Sequence, residues 1–318
     1  MSETIPLIDL SPMNTAEGLR QVAARIGPAC REVGFFYVTG HGLENRIADV
    51  FAQSAKFFAA GENIKRDVLF SGATGNRGYI PMKGEALDPT RPADLKEAFN
   101  IGLELPDDDP ELIAGRIFRA RNQWPDLDGF RSTMLDYFDS CHRLGIAIHQ
   151  AFAIDLGLRP DFFSDKLDRP MAVLRLLHYP AKAGSVEPGQ MGAGEHTDYG
   201  CITLLATDGV GGLEVRRRDG RWISAPHIPG TLVCNIGDCL MRWTNDHYVS
   251  TPHRVQSPPD RERYSVAFFL DPNPDAEVAC LPGCANADRP ARYEPIKGEA
   301  FLLSRLNPTY QKSGLAGG

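Results

Sequence analysis

The sequence predicts a mixed fold with a β-dominated core, either a sandwich or a barrel, that is flanked by α-helices. After Arg169, clusters of Gly, Pro and Asp separate short runs rich in β-branched residues, at 172–178, 201–206, 213–216, 231–236 and 264–270. This spacing is typical of all-β sandwiches and barrels. A parallel sheet would need long helices between the runs, and none fit there.

Two amphipathic helices and two short strands are predicted ahead of this core. Apolar residues recur at helical spacing in "GLRQVAARIGPACREVGFF" (18–36), a helix that Pro28 is expected to kink or split. "RIADVFAQSAKFFAAG" (46–61) predicts a second helix that ends at a glycine. "IPLIDL" (5–10) and "GFFYVTGHG" (34–42) have the composition of strands.

The rest of the chain is interpreted from turn residues and periodicity. Residues 71–110 are rich in Gly, Pro and Asp and predict a loop, whereas 107–158 predicts further helix and 294–310 a closing helix. We therefore expect four parts in chain order. They are a helical N-terminal region packed on the barrel (1–110), a supporting helical segment (111–170), the β core (171–290), and the closing C-terminal helix with its tail (291–318).

Composition narrows the possible partners. The 318 residues carry a formal net charge of −7 with both signs interspersed, so no basic face is expected for nucleic acid or anionic membranes. Seven cysteines without framework spacing and a polar N-terminus argue against secretion, and we expect a cytoplasmic protein. No apolar stretch approaches the roughly 20 residues that cross a bilayer. The oligomeric state is not indicated.

The segment "GEHTDYGCITLL" contains a possible pair of metal ligands, His196 and Asp198. Chance alone predicts about one His-x-acid pair in a chain of this composition, so the motif is weak evidence by itself. On an extended segment, however, residues two apart point to the same side. A third ligand would have to come from a strand that pairs back against this one.

"STPHRV" supplies that third candidate, His253, in a β-prone segment 55 residues after Asp198. Two imidazoles and one carboxylate on one face of a metal suit Fe(II), because three coordination positions remain open. A structural zinc site would normally fill all four of its positions with protein ligands.

The run "RYSVAFFL" predicts a strand that is buried on both sides and begins with Arg263. A buried guanidinium without an anion is very costly, so Arg263 needs a partner. That anion is either a nearby carboxylate, Asp260 or Glu262, or the carboxylate of a cosubstrate held bidentately by Arg263 with help from Ser265. The sequence leaves both alternatives open.

These residues, taken together, resemble the isopenicillin N synthase-like Fe(II)/2-oxoglutarate-dependent oxygenases. That family carries a His-x-Asp, a His some fifty-odd residues on, and an Arg-x-Ser about ten residues later. The resemblance runs nearly end to end through ordered landmarks, namely "IPLIDL", "GFFYVTGHGL", "DLKEAFNIG", "LRLLHYP", "GEHTDYGCITLL", "GVGGLEV", "GDCLMRWTND", "STPHRV", "RYSVAFFLDP" and "YEPIKGEAFLLSRLNPTY".

The resemblance implies a double-stranded β-helix, or jelly roll, as the core. It further implies that the Fe(II) ligands are His196, Asp198 and His253. Arg263 and Ser265 match the Arg-x-Ser that anchors the distal carboxylate of 2-oxoglutarate, and Tyr179 matches a tyrosine that also touches it. Where many relatives have Asn-Tyr-Tyr-Pro, this chain has Leu-His-Tyr-Pro at 177–180. The histidine there, His178, is expected to be a satisfied neighbour of the site.

The implied activity is oxidation of a C–H bond of a small molecule, most simply hydroxylation, with O2 consumed and succinate and CO2 released. Two alternatives remain, a member of the family that works without 2-oxoglutarate and a non-catalytic metal-binding barrel. Substrate contacts are expected from the helical N-terminal third, the loop around 76–87 and the C-terminal helix. Arg77, Tyr79 and Lys83 are candidates for an anionic substrate, although solvated loop charges are the commoner outcome.

Overall fold

The computed structural model describes residues 4–70, 75–88, 90–181, 189–256 and 260–311. The helices are α1 Ala16–Glu32, α2 Glu44–Phe58, α3 Glu62–Arg66, α4 Pro110–Ile113, α5 Phe130–Asp155, α6 Ser164–Leu167, α7 Asp238–Trp243 and α8 Gly298–Gln311. The strands are β1 Leu7–Asp9, β2 Phe35–Thr39, β3 Gly78–Ile80, β4 Glu97–Gly102, β5 Val173–Tyr179, β6 Ala193–His196, β7 Ile202–Thr207, β8 Leu213–Arg216, β9 Trp222–Ser224, β10 Leu232–Ile236, β11 His253–Val255, β12 Arg263–Leu270, β13 Glu277–Val278 and β14 Ile296–Lys297.

Two sheets form the jelly roll. The major sheet has eight strands in the order β1-β2-β10-β7-β12-β5-β4-β3, and the minor sheet has four in the order β6-β11-β8-β9. All pairs in these two sheets are antiparallel except β1 with β2. The fold predicted for 171–290 is therefore confirmed as a jelly roll flanked by helices.

Strand β12 lies in the middle of the major sheet, and its side chains serve two cores. Val266 and Phe268 face the helical layer, where the rings of Phe268 and Phe138 of α5 are 5.1 Å apart. Ala267 faces the space between the two sheets. Because successive side chains of a strand alternate, this one strand packs on the helices and also lines the interior of the jelly roll.

The prediction of a loop over 71–110 is wrong for part of that range. Strands β3 and β4 extend the major sheet at its β5 edge, and every residue of β4 is buried. The sequence of β4, "EAFNIG", contains residues that are depleted in strands, so its conformation is decided by pairing with β5 and not by local preference. The region 1–110 thus contributes strands to the main sheet as well as helices.

Two helix predictions also need correction. Pro28 does not split α1, which continues from Ala16 to Glu32; Pro28 lies on its exposed face while the buried face goes on to Cys30. Packing of that face offsets the hydrogen bond that proline removes. Residues 114–129 are not helical, because α4 ends after one turn, and Gly115 follows with a φ of +63°. The supporting helix of 111–170 is mainly α5.

The C-terminal helix α8 is present as predicted, and its residues Leu302 and Leu306 reach the interior cavity. No helix in the part of the chain that the structure describes is long and apolar enough to cross a membrane.

Candidate active site

The two predicted histidine ligands meet because their strands pair. Strand β6 ends at His196 and β11 begins at His253, and the antiparallel register places these two residues directly opposite each other. Their ring centroids are 4.3 Å apart. The third ligand was expected on a strand that pairs back against the first one, and this pairing is confirmed.

Asp198 completes the cluster from the loop just beyond β6. Its Oδ1 atom lies 3.8 Å from Nε2 of His196 and 3.7 Å from Nε2 of His253. One ligand atom from each of the three residues falls within 4.8 Å of the others. This is the spacing of donor atoms around a single ion, with the carboxylate and the two imidazoles on one side of it.

The remaining ring nitrogens fix which side of each imidazole faces the cluster. Nδ1 of His196 is 2.8 Å from the carbonyl oxygen of Gly194, and Nδ1 of His253 is 3.1 Å from that of Thr251. A carbonyl accepts only from an N–H, so both Nδ1 atoms are protonated and both Nε2 atoms present a lone pair to the cluster.

The second carboxylate oxygen of Asp198 is held by two side chains that the sequence analysis did not identify. Thr203 Oγ1 donates to Oδ2 at 2.5 Å, and Asn235 Nδ2 donates to the same oxygen at 2.7 Å. Both donors are buried. Each donor is a polar residue inside an apolar run, "CITLLAT" and "LVCNIGD", and this is the only indication of it in the sequence. The sequence does not reveal which acceptor such a residue meets.

Electrostatics keep the cluster ready to bind a cation. Burial, and then the neighbouring His253 ring, hold the pKa of His196 well below its usual range. For Asp198, burial raises the pKa, but His253, His196 and the hydrogen bonds from Asn235 and Thr203 outweigh it, and the pKa lies below its usual value. Neutral imidazole and ionised carboxylate are the forms that ligate metals.

Arg263 lies at the other end of the same cavity with Tyr179 and Ser265 around it. Its Nη1 donates to Ser265 Oγ at 3.2 Å and its Nε to the carbonyl oxygen of Gly211 at 2.7 Å. The guanidinium is 4.7 Å from the ring centroid of Tyr179, which pairs with Arg263 across β5 and β12. Only 1% of the residue is exposed.

The two nearby carboxylates proposed as partners of Arg263 are not its partners. Asp260 approaches Arg261 at 3.4 Å, and Glu262 accepts from the hydroxyl of Tyr264 at 3.1 Å. Within the described residues, no carboxylate lies within 4 Å of the Arg263 guanidinium. The positive charge therefore faces the cavity without a counter-ion from the described part of the chain.

One cavity of about 160 Å³ joins the histidine–aspartate cluster to Arg263 and extends beyond them. Lys96 and Arg175 line it, and each forms an ion pair, Lys96 with Asp94 at 2.5 Å and Arg175 with Glu85. No motif in the sequence marks these residues as part of an active site, nor Asn100 and Asp271, which also line the cavity.

The three loop residues considered as candidates for contact with an anionic substrate do not line this cavity. Lys83 is exposed, and Arg77 and Tyr79 are buried but do not line the cavity; the surrounding loop contributes Asn76 and Leu87 instead.

His178 does not line the cavity, and within the described residues only one of its two ring nitrogens is hydrogen-bonded, so the expectation of a satisfied neighbour is met in part. It points to the opposite face of β5 from Tyr179, where Nδ1 hydrogen-bonds to Glu97 at 2.7 Å. Its ring stacks on that of Tyr264 at a centroid distance of 4.6 Å. His178 therefore belongs to the packing between the sheet and the helices.

A jelly roll with two histidines and a carboxylate at one end of its cavity has the architecture of a non-haem iron oxygenase. Two family descriptions match the chain: "non-haem dioxygenase in morphine synthesis N-terminal" over residues 5–127 and "2OG-Fe(II) oxygenase superfamily" over residues 170–272.

Similar proteins agree over nearly the whole chain. A 2-oxoglutarate-Fe(II) type oxidoreductase of Emericella nidulans is 34% identical over 97% of this chain and 91% of its own. A homoarginine-6-hydroxylase of Glycine max is 36% identical over 87% of this chain and 88% of its own. The crystal structure of a full-length Neurospora crassa protein in complex with alpha-ketoglutarate and thymine superposes with a TM-score of 0.85 at 36% identity, covering 97% of this chain and 98% of the other.

This chain belongs to the 2OG-Fe(II) oxygenase superfamily, and it is an Fe(II)- and 2-oxoglutarate-dependent dioxygenase that uses O2 as co-substrate. The family resemblance drawn from the sequence is thereby confirmed, isopenicillin N synthase-like being a broader description of the same group. Of the three hypotheses about activity, the 2-oxoglutarate-dependent one is supported.

Proposed function

We propose that the enzyme hydroxylates a C–H bond of a small-molecule substrate. In the balanced reaction, substrate, 2-oxoglutarate and O2 give the hydroxylated product, succinate and CO2. One oxygen atom enters the product and the other enters succinate. The observation that carries the proposal is one buried cavity that is lined by the His, Asp, His cluster and by Arg263, an arginine with no carboxylate partner among the described residues.

The donor set fits Fe(II). The metal ligands in this proposal are His196, Asp198 and His253, because their free Nε2 and Oδ1 atoms converge while every other polar atom of the three side chains is already hydrogen-bonded. Three protein ligands on one side of an ion leave positions for a chelating cosubstrate. Thr203 and Asn235 hold the carboxylate so that Oδ1, and not Oδ2, faces the ion.

The Arg263 end of the cavity fits the distal carboxylate of 2-oxoglutarate. A guanidinium that is 1% exposed and has no acidic partner among the described residues needs an anion, and a carboxylate matches its planar donors bidentately. Ser265 adds a hydroxyl beside it, and Tyr179 packs its ring against the guanidinium. These three residues are the proposed cosubstrate site.

Fe(II) and 2-oxoglutarate, when bound, supply the activation of O2. The protein's own contribution is positioning and charge balance. Arg263 and the metal ion neutralise the two cosubstrate carboxylates and Asp198, and apolar residues of both sheets, such as Leu205, Leu213 and Val255, keep the site dry. Substrate would enter the remaining part of the cavity, toward Asp271 and α8.

An anaerobic titration tests the proposal. Fe(II) and 2-oxoglutarate added to metal-free protein should give the weak visible charge-transfer band of the chelate, and Arg263→Ala should weaken the apparent 2-oxoglutarate affinity by about 10- to 100-fold, because a buried charge pair is lost. The matched control is Arg261→Ala. Arg261 lies two residues earlier, and 63% of its side chain is exposed, so no change is expected.

The proposal fails at different points for different results. Absence of the band in wild-type protein that demonstrably binds iron would contradict the assigned metal and cosubstrate sites. An unchanged band in Arg263→Ala would contradict the carboxylate site alone. Succinate formation that no small molecule stimulates would contradict the hydroxylation.

A further inference from the structure

Asp271 follows directly after β12 and is a buried carboxylate in the wall of the active-site cavity. Only 5% of the residue is exposed, and it lines the same cavity as His196, Asp198 and His253. It packs against the main chain of Gly200: a Cβ placed on that glycine would lie 2.8 Å from Asp271 Oδ1. The carboxylate therefore sits on the metal side of the cavity, beyond the cosubstrate site.

No described residue neutralises or hydrogen-bonds this carboxylate. It forms neither an ion pair nor a side-chain hydrogen bond within the described residues, and the charge that acts on it is the negative one of Asp198. Burial, and then that charge, raise the pKa of Asp271 to about 7. An unpaired carboxylate in a buried site destabilises the folded protein, so its presence calls for a ligand that the chain itself does not provide.

Two basic residues that line the same cavity, Lys96 and Arg175, are each paired with a carboxylate. Lys96 contacts Asp94 at 2.5 Å and Arg175 contacts Glu85, so the two cations and two carboxylates cancel. Arg263, which has no acidic partner within the described residues either, is matched to the cosubstrate in the proposed function. Asp271, by contrast, accepts no hydrogen bond from any residue that the structure describes.

A second acceptor lines the same cavity. Asn100 of β4 is 1% exposed, and its Nδ2 donates to Asn76 Oδ1 at 2.9 Å. Its Oδ1 accepts no hydrogen bond from the part of the chain that the structure describes. Strand β4 pairs with β5 so that Asn100 lies opposite Arg175, on the interior face of the sheet. Two buried acceptors that receive no hydrogen bond from the described residues thus line one cavity, one on β4 and the other just after β12.

We propose that Asp271 is the substrate-recognition carboxylate of this enzyme, assisted by Asn100, and that the primary substrate is a small molecule with nitrogen-borne hydrogen-bond donors. An ionised carboxylate only accepts, and the N–H groups of amides, lactams, ammonium and guanidinium ions only donate, whereas a hydroxyl does both. A substrate of this class satisfies the groups that the protein leaves open. The inference rests on the proposed function, because it assumes that the space beyond the cosubstrate is the substrate site.

Two probes represent the charged and neutral forms of this chemistry, homoarginine with its guanidinium and thymine with its two ring N–H groups. The N–H-free control probe is 1,3-dimethylthymine. The protein variants are Asp271→Leu, which removes the acceptor at similar shape, and Asp271→Asn, which keeps an acceptor oxygen without the charge. Asp165→Leu is the control variant, since 80% of that side chain is exposed.

The first readout is succinate formation stimulated by each probe above the rate without probe. We expect stimulation by a probe with N–H groups, a loss of about 30-fold or more in Asp271→Leu, and none of this loss in Asp165→Leu. Asp271→Asn should keep stimulation by thymine, whose N–H donors are neutral, and lose stimulation by homoarginine, whose guanidinium is charged. Equal stimulation by 1,3-dimethylthymine, or stimulation that survives in Asp271→Leu within threefold, would overturn the inference.

The second readout decides the case in which none of the three probes stimulates the enzyme. Metal-free Asp271→Leu should melt about 2 °C or more above wild type, because a carboxylate kept for a ligand destabilises the protein that lacks it. A lower melting temperature in both Asp271 variants would show a structural residue and would overturn the inference. Failure of the proposed function is separate, since it appears as a missing Fe(II)–2-oxoglutarate band in wild type.

Discussion

Replacing Thr203 with valine is expected to weaken Fe(II) binding about 10-fold while leaving the fold intact. Thr203 Oγ1 donates to Asp198 Oδ2 at 2.5 Å from the buried strand β7. Valine has nearly the same shape and favours strands, so packing is retained and only the hydroxyl is removed. A hydrogen bond to a charged group contributes about 1.5–3 kcal/mol.

The expected loss is near the lower end of the roughly 10- to 100-fold range for residues that orient a metal ligand. Asn235 still holds the same oxygen at 2.7 Å, so the carboxylate keeps one of its two donors. Removing both donors, in Thr203→Val with Asn235→Ala, should therefore bring the loss to about 100-fold.

The assay is an anaerobic competition for Fe(II) against a coloured chelator. The matched control is Thr207→Val, on the same strand and the same face, whose hydroxyl contacts His227 Nδ1 at 2.9 Å and not the metal cluster. Fe(II) affinity of Thr203→Val within twofold of wild type, or an equal loss in Thr207→Val, would refute the reasoning.

Two further substitutions test the metal loop and a buried histidine. Gly237→Ala should weaken Fe(II) binding and lower the free energy of unfolding by about 1–3 kcal/mol, because the new Cβ would lie 2.3 Å from the Gly200 carbonyl oxygen. The control is Gly61→Ala, whose Cβ would meet only a flexible side chain. Equal effects of the two substitutions, in the Fe(II) titration and in urea unfolding, would contradict this explanation. Burial lowers the pKa of His149 to about 4, so below about pH 6.5 the unfolded chain takes up a proton at this residue that the folded chain does not. The metal-free wild-type protein should therefore lose about 2 kcal/mol of stability from His149 between pH 7 and pH 5. His149→Phe should lack that part of the loss, and urea unfolding at pH 7 and pH 5 with the same difference in both proteins would count against it.

Local sequence was sufficient for the strands that make up the jelly roll. The five predicted β-branched runs correspond to β5, β7, β8, β10 and β12, and each agrees with the structure within one residue at either end. These strands lie inside the two sheets, where apolar side chains are needed on one or both faces. Their apolar composition therefore predicts their burial.

The strands that the sequence did not reveal are those whose burial comes from elsewhere. Strand β4 carries Glu97 and Asn100, which read as loop residues, yet Glu97 is buried because Tyr79, Lys65 and His178 satisfy it. A polar residue is stable in a buried strand when its partners are in place. Those partners come from three other segments of the chain, so the local sequence of β4 predicts a loop although the segment is a buried strand.

The same division runs through the active site. The sequence alone determined the types and spacing of the metal ligands His196, Asp198 and His253, because the alternation of side chains along a strand depends only on neighbouring residues. It also determined that Arg263 needs an anion, because the cost of burying a charge follows from the apolar run in which the arginine stands.

Only the tertiary structure decided which groups meet these residues. It brought His253 opposite His196, gave Asp198 its two donors, separated Arg263 from the neighbouring carboxylates and left Asp271 without a partner in the described chain. Each of these outcomes depends on the register between strands that are distant in sequence, and register is set by the packing of the whole sheet.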